Sequence, residues 1–137
     1  MKIVLDANVF LVSIPKQSQY RCIFDGLIHK QYTLLISNDI LTEYEEIIGM
    51  KTTHSIAKHI VDMLLSLSNV KKTEIFFRWN LIEADPDDNK FSDCAIAGSA
   101  DFLVSNDRHF DVLKDIDFPR ISPLNIDEFT DRLKNAK

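Results

Sequence analysis

Two stretches, Ile3-Val4-Leu5-Asp6 and Phe102-Leu103-Val104-Ser105-Asn106-Asp107, decide the fold that the sequence predicts. Each is a short apolar run followed at once or closely by an aspartate. Such runs are typical of strands buried on both faces, as in a parallel sheet covered by helices. Ligands of such sheets bind just outside the carboxyl ends of the strands, so we expect Asp6 and Asp107 to lie at a ligand site.

Carboxylates gathered at one edge of a sheet repel one another unless a cation neutralises them. Their oxygen atoms are hard ligands that suit Mg²⁺ or Mn²⁺. The sequence therefore predicts a divalent metal site built from residues far apart along the chain.

Extended and helical patterns alternate through the rest of the chain. This alternation predicts a three-layer α/β/α sandwich around a mainly parallel sheet. Strands are predicted at residues 2–5, 33–36, 102–105 and 119–122, with a short one in residues 74–83, either near Glu74 to Phe77 or near Leu81 to Glu83. Helices are predicted over residues 20–28, from Ile40 to Gly49, over residues 56–67, from Asp85 to Gly98, over residues 109–114 and from Asn125 to Leu133.

Composition limits the class of protein. The 137 residues show no repeat or linker, so residues 1–137 are expected to form a single domain. The net charge of −5 argues against unspecific binding to nucleic acid but permits a nuclease that binds through metal ions. No apolar stretch approaches the ~20 residues that span a membrane. Cys22 and Cys94 are far apart, which favours reduced thiols in a cytoplasmic protein.

Asp6 and Glu43 are candidate metal ligands, and each could instead have a purely structural role. Asp6 could cap a following helix, but Pro15 and the polar residues after it predict that the next helix begins well downstream. Glu43 borders the apolar stripe of its helix, where a carboxylate is costly unless it is paired or bound to metal. It could equally be a rim residue that extends into water.

Four acids lie around the start of the helix that follows Asp85. Acids in a first turn oppose the helix macrodipole, and Asp85 and Asp87 could serve as caps without any chemistry. At ~100° per residue, Asp88 lies about 70° from the centre of the apolar stripe and Asp93 about 150° from it. This favours Asp88 as the ligand and leaves Asp93 as an alternative.

The residues beside Asp6 and Asp107 are the remaining candidates at the strand ends. Asn8 and Ser105 could hydrogen-bond a ligating carboxylate, or could simply be turn residues. Asp107 itself could cap a short helix. The four histidines show no metal-binding spacing, so they are expected to be exposed surface residues.

Four motifs together resemble PIN-domain proteins, most closely the toxin branch of bacterial toxin–antitoxin pairs, the relatives of VapC. The motifs are Asp6-Ala7-Asn8, the segment from Ser37 to Glu43, the segment from Asp87 to Phe91 and the segment from Ala100 to Asp107. They occur in the expected order over nearly the whole chain.

The resemblance implies a metal-dependent ribonuclease whose acids correspond to Asp6, Glu43 and Asp107, with either Asp88 or Asp93 as the third family acid. It also implies homodimers, a protein antitoxin that blocks the site, and RNA products with 5′-phosphate and 3′-hydroxyl ends. Single-stranded RNA is the expected substrate.

Three basic residues, Lys16, Lys90 and Arg108, are candidates to contact substrate phosphates, although exposed surface charge is the alternative for each. Two other functions stay open at this point. One is a catalytically silent PIN-like binding module, and the other is a nuclease that cuts DNA or flap structures with the same acids.

Overall fold

The computed structural model describes residues 1–136, which form one sheet of five parallel strands covered by helices. The strand order is β3-β2-β1-β4-β5. The strands are β1 Lys2–Leu5, β2 Thr33–Ile36, β3 Val70–Lys72, β4 Phe102–Val104 and β5 Pro123–Leu124. This is the three-layer α/β/α architecture that the sequence predicts.

Six α-helices and two 3₁₀ segments connect the strands of this part of the chain. The helices are α1 Ala7–Ser13, α2 Arg21–Ile28, α3 Asn38–Lys51, α4 His54–Ser66, α5 Asn89–Ala97 and α6 Ile126–Asn135. The 3₁₀ segments are Pro86–Asp88 and Arg108–Asp115. None of these helices is long and apolar enough to cross a lipid bilayer.

The direction in which the chain adds strands reverses after β3. The first three strands extend the sheet one way, and β4 and β5 are added on the other side of β1. Since parallel crossovers are right-handed, this reversal puts helices on both faces of the sheet. The point between β1 and β4 is a topological switch point, where open α/β sheets bind their ligands.

The two central strands carry the core. Residues 3–5 of β1 and Leu103 and Val104 of β4 are fully buried, as the apolar runs predict. Leu5 is aligned with Val104, so both strands end at the same level. The residues that follow them therefore emerge side by side.

A helix begins directly after β1, contrary to our expectation of one further downstream. Asp6 caps this helix α1, because its Oδ1 accepts a hydrogen bond of 2.8 Å from the backbone N–H of Asn8. Val9 and Phe10 are buried against the core. The helix is only 7 residues long and ends before Pro15, so it is too short for an apolar stripe to reveal it.

The prediction of a strand within residues 74–83 was wrong. The third strand is β3, two residues of which are exposed lysines, so it lacks an apolar run. Residues 74–83 have no regular structure and are held by side chains of α5. Asn89 exchanges hydrogen bonds with the backbone of Ile82, and Asp93 accepts one from the N–H of Trp79.

Two further boundaries differ from the prediction. The edge strand is Pro123–Leu124 rather than residues 119–122, of which only the Ser122 carbonyl accepts a sheet hydrogen bond, from Leu103. Helix α3 continues through Gly49 to Lys51, where packing against α4 extends it. The capping box at Asn125 and Glu128 is confirmed.

Candidate metal centre

Asp6 and Asp107 meet at the carboxyl ends of β1 and β4, joined through the hydroxyl of Ser105. Ser105 Oγ donates a hydrogen bond of 2.5 Å to Asp6 Oδ2 and accepts one of 3.0 Å from the backbone N–H of Asp107. Ser105 therefore orients one carboxylate and ties the backbone of the other.

Asp88 reaches the same place from the start of α5. Its Oδ2 lies 3.2 Å from His109 Nδ1, and the same nitrogen lies 3.3 Å from Asp107 Oδ1. Ligand atoms of Asp85, Asp88 and His109 all lie within 4.8 Å of one another. We call the following residues the switch-point cluster: Asp6, Asp85, Asp88, Asp107 and His109.

The carboxylates of the switch-point cluster are costly to ionise together. Burial raises the pKa of Asp6, and the nearby charge of Asp107 adds to the rise. The hydrogen bonds that Asp6 accepts from Ser105 and from the Asn8 backbone lower the pKa and oppose it. Burial also raises the pKa of Asp88 to about 6. The His109 hydrogen bond opposes that rise, and the charges of Asp107, Asp85 and Asp6 support it.

A bound cation fits this cluster. Within residues 1–136, no lysine or arginine forms an ion pair with any of its carboxylates, and only His109 provides positive charge. The hydrogen bond of His109 to Asp88 raises the pKa of His109, against the opposing effect of burial. Partly buried acids such as Asp6 and Asp88, with raised pKa values and no fixed counter-charge, are the kind of donor that a divalent ion stabilises.

Glu43 lies in a separate group of charges. Its Oε1 accepts a hydrogen bond of 2.6 Å from Lys90 Nζ, which also lies 3.0 Å from Asp87 Oδ1. We call Glu43, Asp87 and Lys90 the Lys90 cluster. Burial raises the pKa of Glu43 despite the Lys90 ammonium, whereas hydrogen bonding to Lys90 lowers the pKa of Asp87.

Lys90 is therefore already paired, although the sequence analysis proposed it as a phosphate contact. Burial alone would lower its pKa, but hydrogen bonds to Glu43 and Asp87 more than offset that effect and raise it. The Lys90 side chain is only 18% exposed.

Asp93 lies apart from the switch-point cluster. It is buried, and its Oδ1 accepts a hydrogen bond of 3.0 Å from the backbone N–H of Trp79. Burial raises its pKa, and the Trp79 hydrogen bond opposes that rise. The helical-wheel estimate places Asp93 nearly opposite the apolar stripe of α5, and in the structure residues 74–83 cover that side of the helix.

The other predicted residues occupy varied positions. Asn8 is exposed, and its backbone N–H, rather than its side chain, contacts Asp6. Arg108 is exposed next to Asp107 along the chain. Lys16 is exposed beyond the far end of α1, a helix about 10 Å long at 1.5 Å per residue. The chain therefore leads Lys16 away from the carboxylates.

Sequence reasoning missed His109, which it treated as an isolated surface histidine. The available indication was position, because His109 follows Asp107 by two residues at the carboxyl end of β4. Asp107 Oδ1 accepts a hydrogen bond of 2.9 Å from the backbone N–H of His109, which caps the 3₁₀ segment Arg108–Asp115 and turns the chain there.

Comparison with known proteins identifies the fold and the family of the chain. No curated protein sequence matches the chain. It is similar to a chain in the crystal structure of VapBC2 from Rickettsia felis bound to a DNA fragment from their promoter. The two chains are 21% identical, the TM-score is 0.63, and the match covers 91% of this chain and 98% of that chain. This similarity concerns the fold. Residues 2–109 match the family model described as PIN domain, and the chain therefore belongs to the PIN-domain family.

Proposed function

We propose that this protein is a divalent-metal-dependent endoribonuclease that acts as the toxin of a toxin–antitoxin pair. PIN domains are generally nucleases, which supports the reaction class. The observation that carries the proposal is the convergence of Asp6, Asp88 and Asp107 at the switch point between β1 and β4. Ser105 and His109 join these three acids.

In this proposal Asp6, Asp88 and Asp107 hold Mg²⁺ or Mn²⁺, while Ser105 keeps the Asp6 carboxylate in place. When bound, such an ion lowers the pKa of water and neutralises charge that develops on the scissile phosphate. Glu43 remains a predicted ligand, and because its Oε1 is bound to Lys90, Oε2 is the oxygen that it can offer.

Single-stranded RNA is the proposed substrate, and water cleaves the phosphodiester to give 5′-phosphate and 3′-hydroxyl ends. Arg108, exposed beside Asp107, is the best placed of the three basic candidates to meet a substrate phosphate. The net charge of −5 makes unspecific attraction of RNA weak, so binding is expected to depend on the metal.

The proposed partners are a protein antitoxin that covers the switch-point cluster and a second copy of this chain. The similar Rickettsia felis structure is of a VapBC2 assembly, which supports the first. We also propose a cytoplasmic location, because the proposed substrate is RNA. Co-purification with the product of a small adjacent gene, and inhibition of RNA cleavage by that product, would test the toxin role.

The direct test is cleavage of single-stranded RNA by Asp6→Asn in the presence of Mg²⁺ or Mn²⁺. Asparagine caps helices as well as aspartate does, so helix α1 is retained while the ligand charge is lost. We expect cleavage to fall to the level seen with EDTA. Asp111→Asn, at an exposed acid of the nearby 3₁₀ segment, is the matched control and is expected to cleave normally.

Unchanged cleavage by pure Asp6→Asn protein would contradict the proposal, because another group or a contaminant would then be doing the chemistry. Parallel assays with single-stranded DNA and flap substrates distinguish a DNA-directed nuclease. A protein that cleaves none of these substrates with either metal would be a silent binding module.

A further inference from the structure

We propose that His109 binds the divalent ion directly through Nδ1, beside Asp88, and that the site therefore prefers a transition-metal ion to Mg²⁺. This inference rests on the proposed function, since it concerns the same metal site. It differs from the expectation above in adding a nitrogen ligand to a set otherwise made of carboxylate oxygens.

The positions of the ligand atoms support direct binding. Nδ1 of His109 lies 3.2 Å from Asp88 Oδ2 and 3.3 Å from Asp107 Oδ1. Ligands at right angles around one ion, with bonds of about 2.1 Å, are about 3 Å apart. Nδ1 is therefore spaced from each of these two oxygens as neighbouring ligands of a single ion are, and ligand atoms of His109, Asp88 and Asp85 all lie within 4.8 Å of one another.

The backbone holds the His109 ring in this position. The N–H of His109 is bound to Asp107, and the next residue, Phe110, is buried with its ring 6.4 Å from that of Phe91. Phe91 belongs to α5, whose first turn follows Asp88. The contact thus ties His109 and Asp88 to the same packed unit, while the 41% exposure of the His109 side chain leaves a path for an ion from solvent.

The chemistry of imidazole then decides the choice of metal. Mg²⁺ prefers oxygen ligands in an octahedral arrangement, whereas neutral imidazole is a common ligand of first-row transition metals. For a nitrogen-containing site, affinity rises from Mn²⁺ through Fe²⁺ and Co²⁺ to Ni²⁺. Removing His109 should therefore weaken Co²⁺ binding much more than Mg²⁺ binding.

The experiment is calorimetric titration of the full chain with Co²⁺ and with Mg²⁺, for wild type, His109→Ala and His109→Gln. We expect the Co²⁺ dissociation constant to rise about tenfold or more in both variants, with less than about a threefold change for Mg²⁺. Glutamine can still donate a hydrogen bond to Asp88, so His109→Gln separates metal binding from mere positioning of that carboxylate. His59→Ala, an exposed histidine on α4, is the control and should match wild type.

Pulsed electron paramagnetic resonance of bound Mn²⁺ is an independent readout. Wild type should show modulation from a directly bound ¹⁴N nucleus, and His109→Ala should lose it while thermal denaturation shows that it remains folded. A wild-type protein that binds Mn²⁺ without ¹⁴N modulation, or a His109→Gln variant with unchanged Co²⁺ affinity, overturns the inference and leaves the nuclease proposal standing. A wild-type protein that binds no divalent ion overturns both.

Discussion

The two charged groups at this edge of the sheet, the switch-point cluster and the Lys90 cluster, are neutralised in opposite ways. The Lys90 cluster has two carboxylates that share one lysine, whereas the switch-point cluster has four carboxylates and only a histidine. A local excess of acids therefore does not by itself mark a metal site. The lack of a fixed positive charge among converging carboxylates is the more specific feature.

Two adjacent residues divide between these clusters. Asp87 pairs with Lys90, while Asp88 pairs with His109. They belong to one 3₁₀ turn, in which successive side chains point about 120° apart because three residues complete a turn. Two acids that are adjacent along the chain therefore lie in different environments, Asp87 in the neutralised Lys90 cluster and Asp88 in the switch-point cluster, which can accept an ion.

The largest expected effect comes from comparing Asp88→Asn with Asp87→Asn. Asp88→Asn should weaken Mn²⁺ binding and slow RNA cleavage more than about a hundredfold, since even outer partners of metal ligands contribute 10–100-fold. Asp87→Asn should remain within a few-fold of wild type. Calorimetric Mn²⁺ titration and RNA cleavage measure both, and equal losses in the two variants would contradict the division into two clusters.

Asp93→Asn addresses the alternative third acid. The asparagine Oδ1 can still accept the hydrogen bond from the Trp79 backbone, so the fold should be retained. We expect Mn²⁺ affinity close to wild type. A loss as large as that of Asp88→Asn would show that Asp93 belongs to the metal site.

After Asp88→Asn, Ser105→Ala should have the largest effect on Mn²⁺ affinity. It removes the hydrogen bond to Asp6 and the acceptor for the Asp107 backbone, so both carboxylates lose orientation. We expect Mn²⁺ affinity to fall about 10- to 100-fold. Ser105→Thr keeps the hydroxyl and should stay near wild type. If alanine and threonine variants bind Mn²⁺ equally well, the hydroxyl does not orient the ligands.

Lys90→Met tests the other cluster. Two carboxylates lose their shared cation, and Glu43 is partly buried, so we expect the free energy of unfolding to fall by about 1–3 kcal/mol. Urea denaturation measures the change. Adding Glu43→Gln should restore part of the loss, because the uncompensated charge is then removed. Additive effects of the two substitutions would show that the pair is not coupled.

Of the changes that we expect to observe, the smallest is the dependence of the metal-free protein's stability on pH. Burial raises the pKa of Asp88 from 3.8 to about 6; the hydrogen bond with His109 opposes this rise and the charges of the neighbouring acids add to it. The folded protein therefore holds the Asp88 carboxyl proton more tightly than the unfolded chain does. The protonated Asp88 carboxyl therefore makes its full contribution to the free energy of unfolding below pH 3.8, and this contribution is lost as the pH rises through about 6.

Thermal denaturation in EDTA should therefore show Tm falling by a few degrees between pH 4.5 and 7.5. Asp88→Asn should reduce this slope, since one of the carboxyl groups with a raised pKa is gone. Added Mn²⁺ should raise Tm more at pH 7.5 than at pH 4.5, because the ion needs ionised ligands. An equal increase at both values would contradict binding by the carboxylates of the switch-point cluster.

Much of the fold could be predicted because burial leaves direct patterns in the sequence. Residues 3–5 and 102–104 are uninterrupted apolar runs, and both are central strands. Two elements escaped prediction for physical reasons. Helix α1 is too short to show a periodic stripe, and β3 is an edge strand whose exposed lysines remove the apolar pattern.

The candidate site could be predicted in part. Asp6 and Asp107 follow strands, so their meeting follows from parallel topology, and the favoured Asp88 lies with them. The pairing of Glu43 with Lys90 could not be predicted, because their side chains meet only through the packing of α3 beside the start of α5. The burial of Asp93 depends likewise on the irregular segment that covers it.

The residue order already indicates a layered parallel sheet with aspartates at its strand ends, because burial on both faces leaves apolar runs and the alternation of strands with helices requires crossovers. The folded chain is needed to show which acids contact a lysine, which contact His109, and which is covered by loop backbone. The reason is that the charge state of a carboxylate depends on atoms within a few ångströms, and distant segments of the chain supply those atoms.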